Sequence, residues 1–210
     1  MTKYSTIIFD VDGTLIDTEA AVLSSLQKML KEDFGREYDQ SELKFVLGVP
    51  GADALPQLNI QDIARANDRW NHFMKDFFSS ITVFNGIKEL LGDLQNTGVQ
   101  QGIVTSKTTQ ELRDDFVPFG LSAYLPYVVC ADDTKKHKPN PEPLLKFLEI
   151  SGAKAETSIY IGDTIYDYEC ARDAGVDFAL ALWGCRQQHS HINAKYKLEQ
   201  PQHLLELIKR

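Results

Sequence analysis

From residue 85 onward, short apolar segments alternate with segments of helical periodicity, and this alternation is what most constrains the fold. Strands that alternate with helices pair in parallel, so the pattern predicts an α/β fold with one parallel sheet and helices on both faces. The predicted strands are 4–10, 99–105, 127–131, 158–162 and 178–182, and the predicted helices of this part are 86–96, 108–117, 141–151, 165–174 and 202–209.

Residues 17–80 have a different pattern, with apolar side chains at helical spacing and no strand-like run. We predict a first helix that ends at Gly35, a short helix capped by Ser41 that ends near Gly48, and a longer helix across 60–77. The predicted organisation is therefore a core formed by 1–16 and 84–210, with an all-helical domain, 17–83, inserted after the first strand.

Charge and cysteine content exclude several classes of protein. Lys and Arg number 22 and Asp and Glu number 30, so the net charge is −8, and no basic stripe is present to bind nucleic acid. Three widely spaced cysteines form neither a disulfide framework nor a zinc motif. The first residues lead directly into a strand, without a signal peptide or an apolar run of about 18 residues, so we expect a cytoplasmic protein with no membrane partner. The oligomeric state is not indicated.

Polar residues follow four of the predicted strands at the edge where a parallel sheet binds its ligands. Carboxylates suit a hard cation such as Mg²⁺, while a lysine and a hydroxyl suit phosphate oxygens. The four groups therefore predict a magnesium and phosphate site. They are Asp10-Val11-Asp12-Gly13-Thr14, Thr105-Ser106-Lys107, Lys138 in the segment His137–Pro141, and Asp163 with Asp167 four residues later.

Each group alone has a simpler explanation. Acid pairs are common on surfaces, Thr105 could end a strand, and Lys138 could be a solvated lysine. Asp163 and Asp167 could stabilise the N-terminus of a helix, where acids are favoured. The hypothesis of a site depends on all four groups lying at one sheet edge.

These segments resemble the four motifs of the haloacid dehalogenase superfamily of phosphohydrolases. DVDGT at 10–14 resembles the first, Thr105 after GIV the second, Lys138 in KPNPEP the third, and GDTIYD at 162–167 the fourth. The order and spacing agree, and the resemblance covers essentially the whole chain. It implies a Rossmann-like core and a small helical cap, in the branch that contains phosphoglycolate phosphatase, β-phosphoglucomutase and pyrophosphatase-like members.

The resemblance also implies roles. Asp10 would be the nucleophile that forms an aspartyl-phosphate, and Asp12 would be the general acid and then the general base. Thr105 and Lys138 would bind the transferring phosphoryl group, beside substrate-binding positions at Gly13 and Ser106.

The same resemblance implies a Mg²⁺ site. The ion would be held by Asp10, the backbone carbonyl of Asp12 and Asp163. Asp167 would either bind the ion, through water, or orient Lys138.

The predicted function is hydrolysis of a small phosphorylated metabolite. A phosphosugar mutase, an inorganic pyrophosphatase and a non-catalytic protein of the same fold are the alternatives. The four motifs are intact, which argues against a non-catalytic protein. Mutase relatives carry a histidine after DGT and an arginine in the cap loop; here 17–22 contains no histidine, and Gly51 occupies the arginine position. His189 and His191 form an H-x-H pair that we interpret as a solvated loop rather than a metal site.

Overall fold

The computed structural model describes residues 4–185 and 191–208. The strands are β1 Thr6–Phe9, β2 Ile16–Asp17, β3 Thr82–Val83, β4 Gln100–Val104, β5 Tyr127–Val129, β6 Ser158–Gly162, β7 Asp177–Ala181 and β8 Tyr196–Leu198. The α-helices are α1 Glu19–Phe34, α2 Gln40–Leu43, α3 Gly51–Ala54, α4 Ile63–Met74, α5 Ile87–Thr97, α6 Thr109–Asp115, α7 Glu142–Ser151, α8 Ile165–Ala174 and α9 Leu204–Ile208. The chain divides into two compact units, one formed by Met1–Ile16 and Val83–Arg210 and the other by Asp17–Thr82.

The larger unit is built on a six-stranded sheet in the order β5-β4-β1-β6-β7-β8, in which every pairing is parallel. This confirms the predicted α/β class with a parallel sheet. β1 lies between β4 and β6, and Phe9 pairs with Ile103 on one side and Ile161 on the other. The chain therefore leaves β1 where the strand order reverses, which is the position at which open parallel sheets form a ligand crevice.

Side chains of β1 and β6 are buried on both sheet faces, because helices cover both. That double coverage explains why these strands are continuous apolar runs rather than alternating ones. A cluster of buried side chains fills one side of the sheet: Ile8, Val104, Val129, Leu144, Phe147, Tyr160, Cys170, Ala171, Ala174, Val176, Phe178, Leu180 and Ile192. Among the described residues, no helix has the length and apolarity needed to cross a bilayer.

The smaller unit is helical, apart from the short strand segments at its two ends. α1 packs against α4, and the Trp70 indole donates a hydrogen bond to Ser25 Oγ across that contact at 2.9 Å. α1 ends at Gly35, whose positive φ of 62° supplies the left-handed cap that the sequence predicted.

Two helix starts in this unit differ from the prediction. α2 begins at Gln40 and its N-cap is Asp39, whose N–H donates to Glu42 Oε2 at 2.8 Å, so Ser41 lies inside the helix rather than capping it. α4 begins at Ile63, because Asp62 Oδ1 accepts the Arg65 N–H at 3.2 Å and fixes the cap there. The helical pattern over 60–77 thus includes a preceding turn and a following 3₁₀ turn, Lys75–Ser80.

Candidate active site

The segment after β1 forms a tight turn that carries Asp10 at its start. The Asp10 N–H donates to Ile161 O at 2.8 Å, which extends the β1–β6 pairing by one residue. The Gly13 N–H closes the turn on Ile16 O at 2.8 Å. Gly13 has a φ of 76°, and a Cβ at this position would overlap the Asp163 carboxylate. A glycine is therefore required for Asp163 to lie against the turn.

Three carboxylates meet at this edge. Oxygens of Asp10, Asp163 and Asp167 lie within 4.8 Å of one another, and all three residues are buried. Thr14 Oγ1 lies 3.3 Å from Asp163 Oδ1, a hydrogen bond that orients the second of these acids. Burial raises the pKa of Asp10 to about 7; the charge of Lys138 opposes the rise and the charge of Asp167 adds to it.

Lys138 lies at the centre of this group. Its Nζ donates to Asp10 Oδ1 at 2.9 Å, to Asp167 Oδ1 at 2.7 Å and to the Tyr160 hydroxyl at 3.1 Å, so all three of its N–H donors have partners. Burial alone would lower the pKa of Lys138, but the charges of Asp10 and Asp167 outweigh burial and hold that pKa above its usual value. The ammonium is therefore retained beside the carboxylates.

Asp167 has hydrogen-bond partners on both oxygens. Oδ1 accepts from Lys138 and lies 2.9 Å from the Tyr160 hydroxyl, while Oδ2 accepts from the Thr164 N–H at 3.0 Å and Thr164 Oγ1 at 2.6 Å. Burial opposes ionisation, but Lys138 and Thr164 lower the pKa of Asp167 below its usual value. This arrangement favours the alternative in which Asp167 orients Lys138.

Tyr160 was not singled out by the sequence, because it lies in a strand and resembles a core aromatic. Its ring is buried, while its hydroxyl lies within hydrogen-bond distance of Lys138, Asp167 and the Val104 carbonyl, the last at 2.9 Å. A tyrosine three residues before an expected site acid, in the strand that leads to that acid, is the feature that could have indicated it.

Asp12 faces a second lysine. Lys107 Nζ lies 3.2 Å from Asp12 Oδ1 and 2.8 Å from Asp115 Oδ2. The Lys107 side chain is 8% exposed and that of Asp12 is 23% exposed. Burial would lower the pKa of Lys107, but Asp12 and Asp115 raise it above its usual value. The sequence analysis gave Lys107 no role.

Thr105 is buried directly after β4, where its N–H donates to Val129 O at 3.0 Å and its Oγ1 accepts the Lys107 N–H at 3.2 Å. The neighbouring Ser106 is half-buried. Their contacts with a phosphoryl group stay predictions. Of the histidine pair, His189 lies outside the described residues, and His191 is exposed.

A second set of possible ligand atoms belongs to Cys130, Asp132 and Asp133, within 4.8 Å of one another. Asp132 accepts the Thr109 N–H at the start of α6, and Asp133 accepts the Cys130 N–H, both at 2.8 Å. Both acids are exposed, so these contacts explain the cluster as turn and helix capping.

The sequence profile of the haloacid dehalogenase-like hydrolases matches residues 7–181. The chain belongs to the haloacid dehalogenase-like hydrolase family. Two similar family members are the phosphoglycolate phosphatase of Aquifex aeolicus, 33% identical over 96% of this chain and 95% of that one, and the pyrophosphatase PpaX of Halalkalibacterium halodurans, 28% identical over 98% and 97%.

Solved structures of haloacid dehalogenase-like hydrolases superpose on this chain along its length. A protein of Lactobacillus plantarum, provisionally assigned as a phosphoglycolate phosphatase, has a TM-score of 0.90 at 28% identity and covers 99% of this chain and 100% of its own. CbbY of Rhodobacter sphaeroides has a TM-score of 0.85 at 18% identity over the full length of both chains, which shows the shared fold. The predictions of this superfamily and of a hydrolase are confirmed, and the two named sequence relatives are a phosphatase and a pyrophosphatase.

Proposed function

We propose that this hydrolase is a Mg²⁺-dependent phosphatase that cleaves a small phosphorylated metabolite through an aspartyl-phosphate on Asp10. The observation that supports it most is the environment of Asp10. Asp10 is a buried carboxylate that contacts a protonated lysine at 2.9 Å and lies beside two further acids. Such an arrangement is typical of a functional site that binds both an anion and a cation.

The proposed reaction has two steps. In the first, Asp10 attacks phosphorus, the bond from phosphorus to the leaving oxygen breaks, and Asp12 donates a proton to that oxygen. In the second, Asp12 takes a proton from water, the water oxygen attacks phosphorus, and Asp10 is released as a carboxylate with inorganic phosphate. Lys138 offsets charge on the phosphoryl oxygens in both steps, and Thr105 and Ser106 donate hydrogen bonds to them.

The donor set fits a hard divalent cation. Asp10, Asp163 and Asp167 offer only oxygens, and these lie close enough together to share one ion. Three buried carboxylates beside one lysine also leave negative charge that a cation would offset. We assign Asp10, Asp163 and the Asp12 carbonyl to Mg²⁺, and Asp167 to Lys138. The bound ion would supply charge stabilisation for the transferring phosphoryl group.

Phosphatase chemistry is favoured over mutase chemistry by the helical unit. Gly51 stands where mutase relatives carry an arginine, and a Cβ at Gly51 would overlap Asn67 Oδ1. A long cationic side chain at this position would require Asn67 to move. In the segment that follows the first motif, Asp17 and Glu19 would repel a second phosphate, and Lys44, 3.3 Å from Glu19 Oε1, is engaged by that acid.

We also propose that the helical unit, 17–82, is the cap that selects the substrate. The support is its place in the chain, since it is inserted directly after the turn that carries Asp10. The relatives indicate two substrates to examine first, phosphoglycolate and pyrophosphate.

The test is phosphate release with Mg²⁺ from phosphoglycolate, pyrophosphate, hexose 1-phosphates and p-nitrophenyl phosphate. We expect release from at least one metabolite, and a loss of at least about 10³-fold in Asp10→Asn, whose amide has the same shape but is not a nucleophile. Near-normal turnover by Asp10→Asn would exclude the mechanism. Isomer formation from a hexose 1-phosphate, primed by its bisphosphate, that outpaces phosphate release would favour the mutase instead.

A further inference from the structure

Lys107 is a buried cation outside the four motifs of the family, and it contacts the acid on which proton transfer depends. Its Nζ lies between Asp12 Oδ1 at 3.2 Å and Asp115 Oδ2 at 2.8 Å. Burying a lysine is costly unless it is paired, so these contacts need an explanation.

The backbone at Lys107 is fixed from both sides. Its N–H donates to Thr105 Oγ1 at 3.2 Å, and its carbonyl accepts the Ala131 N–H at 2.8 Å. The side chain is therefore directed from a rigid turn at the end of β4, which is the strand next to β1 in the sheet.

Asp115 fixes the other end of the lysine. It is the last residue of α6 and is buried, although an acid is disfavoured at the negative end of a helix dipole. Thr108 and Glu111 form a capping box at the start of the same helix, with N–H to side-chain distances of 2.7 and 3.3 Å. The helix thus presents Asp115 to Lys107, and Lys107 compensates an otherwise unfavourable acid.

We propose that Lys107 is a positioning residue that holds the Asp12 carboxylate in the orientation needed for proton transfer to the leaving oxygen. This inference rests on the proposed function, in which Asp12 is the general acid. A cation fixed at Oδ1 restricts rotation of the Asp12 side chain. Asp115 takes part by holding Lys107.

The test compares two leaving groups. An alkoxide needs a proton to depart, whereas p-nitrophenolate does not, and kcat/KM reports the steps up to departure. We expect Lys107→Met to lower kcat/KM about 10²-fold for the alkyl phosphate that the enzyme hydrolyses fastest in the panel. For p-nitrophenyl phosphate, we expect kcat/KM to fall by less than about 10-fold. Lys107→Arg keeps the charge and should recover part of the loss. Lys146→Met, an exposed lysine of α7, is the matched control for the substitution itself.

A double-mutant cycle separates positioning from a purely structural role. In an Asp12→Asn background, Lys107→Met should change kcat/KM by less than about 3-fold, because the orienting contact no longer has a function. If Lys107→Met alone unfolds the protein, Lys107→Met with Asp115→Asn removes the uncompensated acid and serves in its place.

The outcomes separate this inference from the function that it rests on. The role of Lys107 would be overturned if Lys107→Met lowered kcat/KM equally for both leaving groups, or if it caused its full loss of kcat/KM in the Asp12→Asn background. The proposed phosphatase function would still hold in that case, provided that Asp10→Asn is inactive. An active Asp10→Asn variant would overturn both.

Discussion

Two lysines at the end of the sheet each contact one aspartate of the first motif, and the two lysine–aspartate pairs differ in their exposure to solvent. Lys138 contacts Asp10 and Asp167, whose side chains are 4% and 0% exposed. Lys107 contacts Asp12 and Asp115, at 23% and 10%. The enclosed pair suits a nucleophile that must be kept from bulk water, and the more open pair suits an acid that exchanges protons with a leaving group and with water. In the proposed mechanism, environment rather than residue type would separate the roles of two acids two positions apart.

The largest expected difference between the two lysines appears when each is replaced by methionine. Lys138→Met leaves two buried carboxylates without their cationic partner, so we expect a loss of about 3–5 kcal/mol in the free energy of unfolding. Turnover should fall by about 10²–10³-fold. Lys107→Met should cost less stability because its partners are better solvated. Urea denaturation and kcat measure both, and equal destabilisation by the two variants would remove the contrast.

A metal titration sharpens the same comparison. Mg²⁺ at a hundredfold excess over its dissociation constant should stabilise the folded protein by about 2.7 kcal/mol. The gain should disappear in Asp163→Asn, which loses a proposed ligand, and persist in Lys107→Met, which keeps all of them. Thermal unfolding with and without Mg²⁺ measures the gain, and chelator should also abolish activity. Stabilisation of Asp163→Asn to the wild-type extent would place the ion elsewhere.

The smallest expected effect comes from the Tyr160 hydroxyl, which contacts Lys138, Asp167 and the Val104 carbonyl. Tyr160→Phe should lower the free energy of unfolding by about 1 kcal/mol, because a buried hydrogen-bond partner is removed without changing the ring. It should reduce kcat more than it changes KM, since Lys138 loses one of its fixed contacts. Tyr168→Phe on α8 is the matched control. A KM effect alone would indicate that Tyr160 acts on substrate docking.

Sequence periodicity predicted the elements that are long or strictly apolar. α8 lies at 165–174 as predicted, because its apolar positions recur and Gly175 ends it with a φ of 71°. β8 was missed since only Leu198 of its three residues is buried, so a short edge strand offers almost no pattern. α9 begins at Leu204 rather than 202, after a 3₁₀ turn that starts at Pro201.

The site was predictable where chemistry depends on a residue that follows a strand directly. Asp10 and Asp163 directly follow β1 and β6, whereas Lys138 and Asp167 lie further along the chain and their roles came from the family resemblance, and all four lie together in the structure. Lys107 lies in a segment that follows a strand too, Thr105-Ser106-Lys107, but the sequence indicated no role for it, because one lysine in a polar loop is typical of a solvated surface. Its distinguishing feature is its partner, an acid at the C-terminal end of the following helix, and only the folded chain brings the two together.

The contact between Gly13 and Gly184 extends the proposed active site beyond the motifs. A Cβ at Gly184 would overlap the Gly13 carbonyl oxygen, and the neighbouring Trp183 indole donates to Thr14 O at 2.9 Å. The turn that carries Asp10 is thus supported by a segment that follows β7, downstream of every motif. A shortened chain that kept residues 1–181 would retain each proposed catalytic group yet lose the contacts that support the turn carrying Asp10. For domain trimming or chimera construction, the smallest functional unit is therefore longer than the motifs suggest.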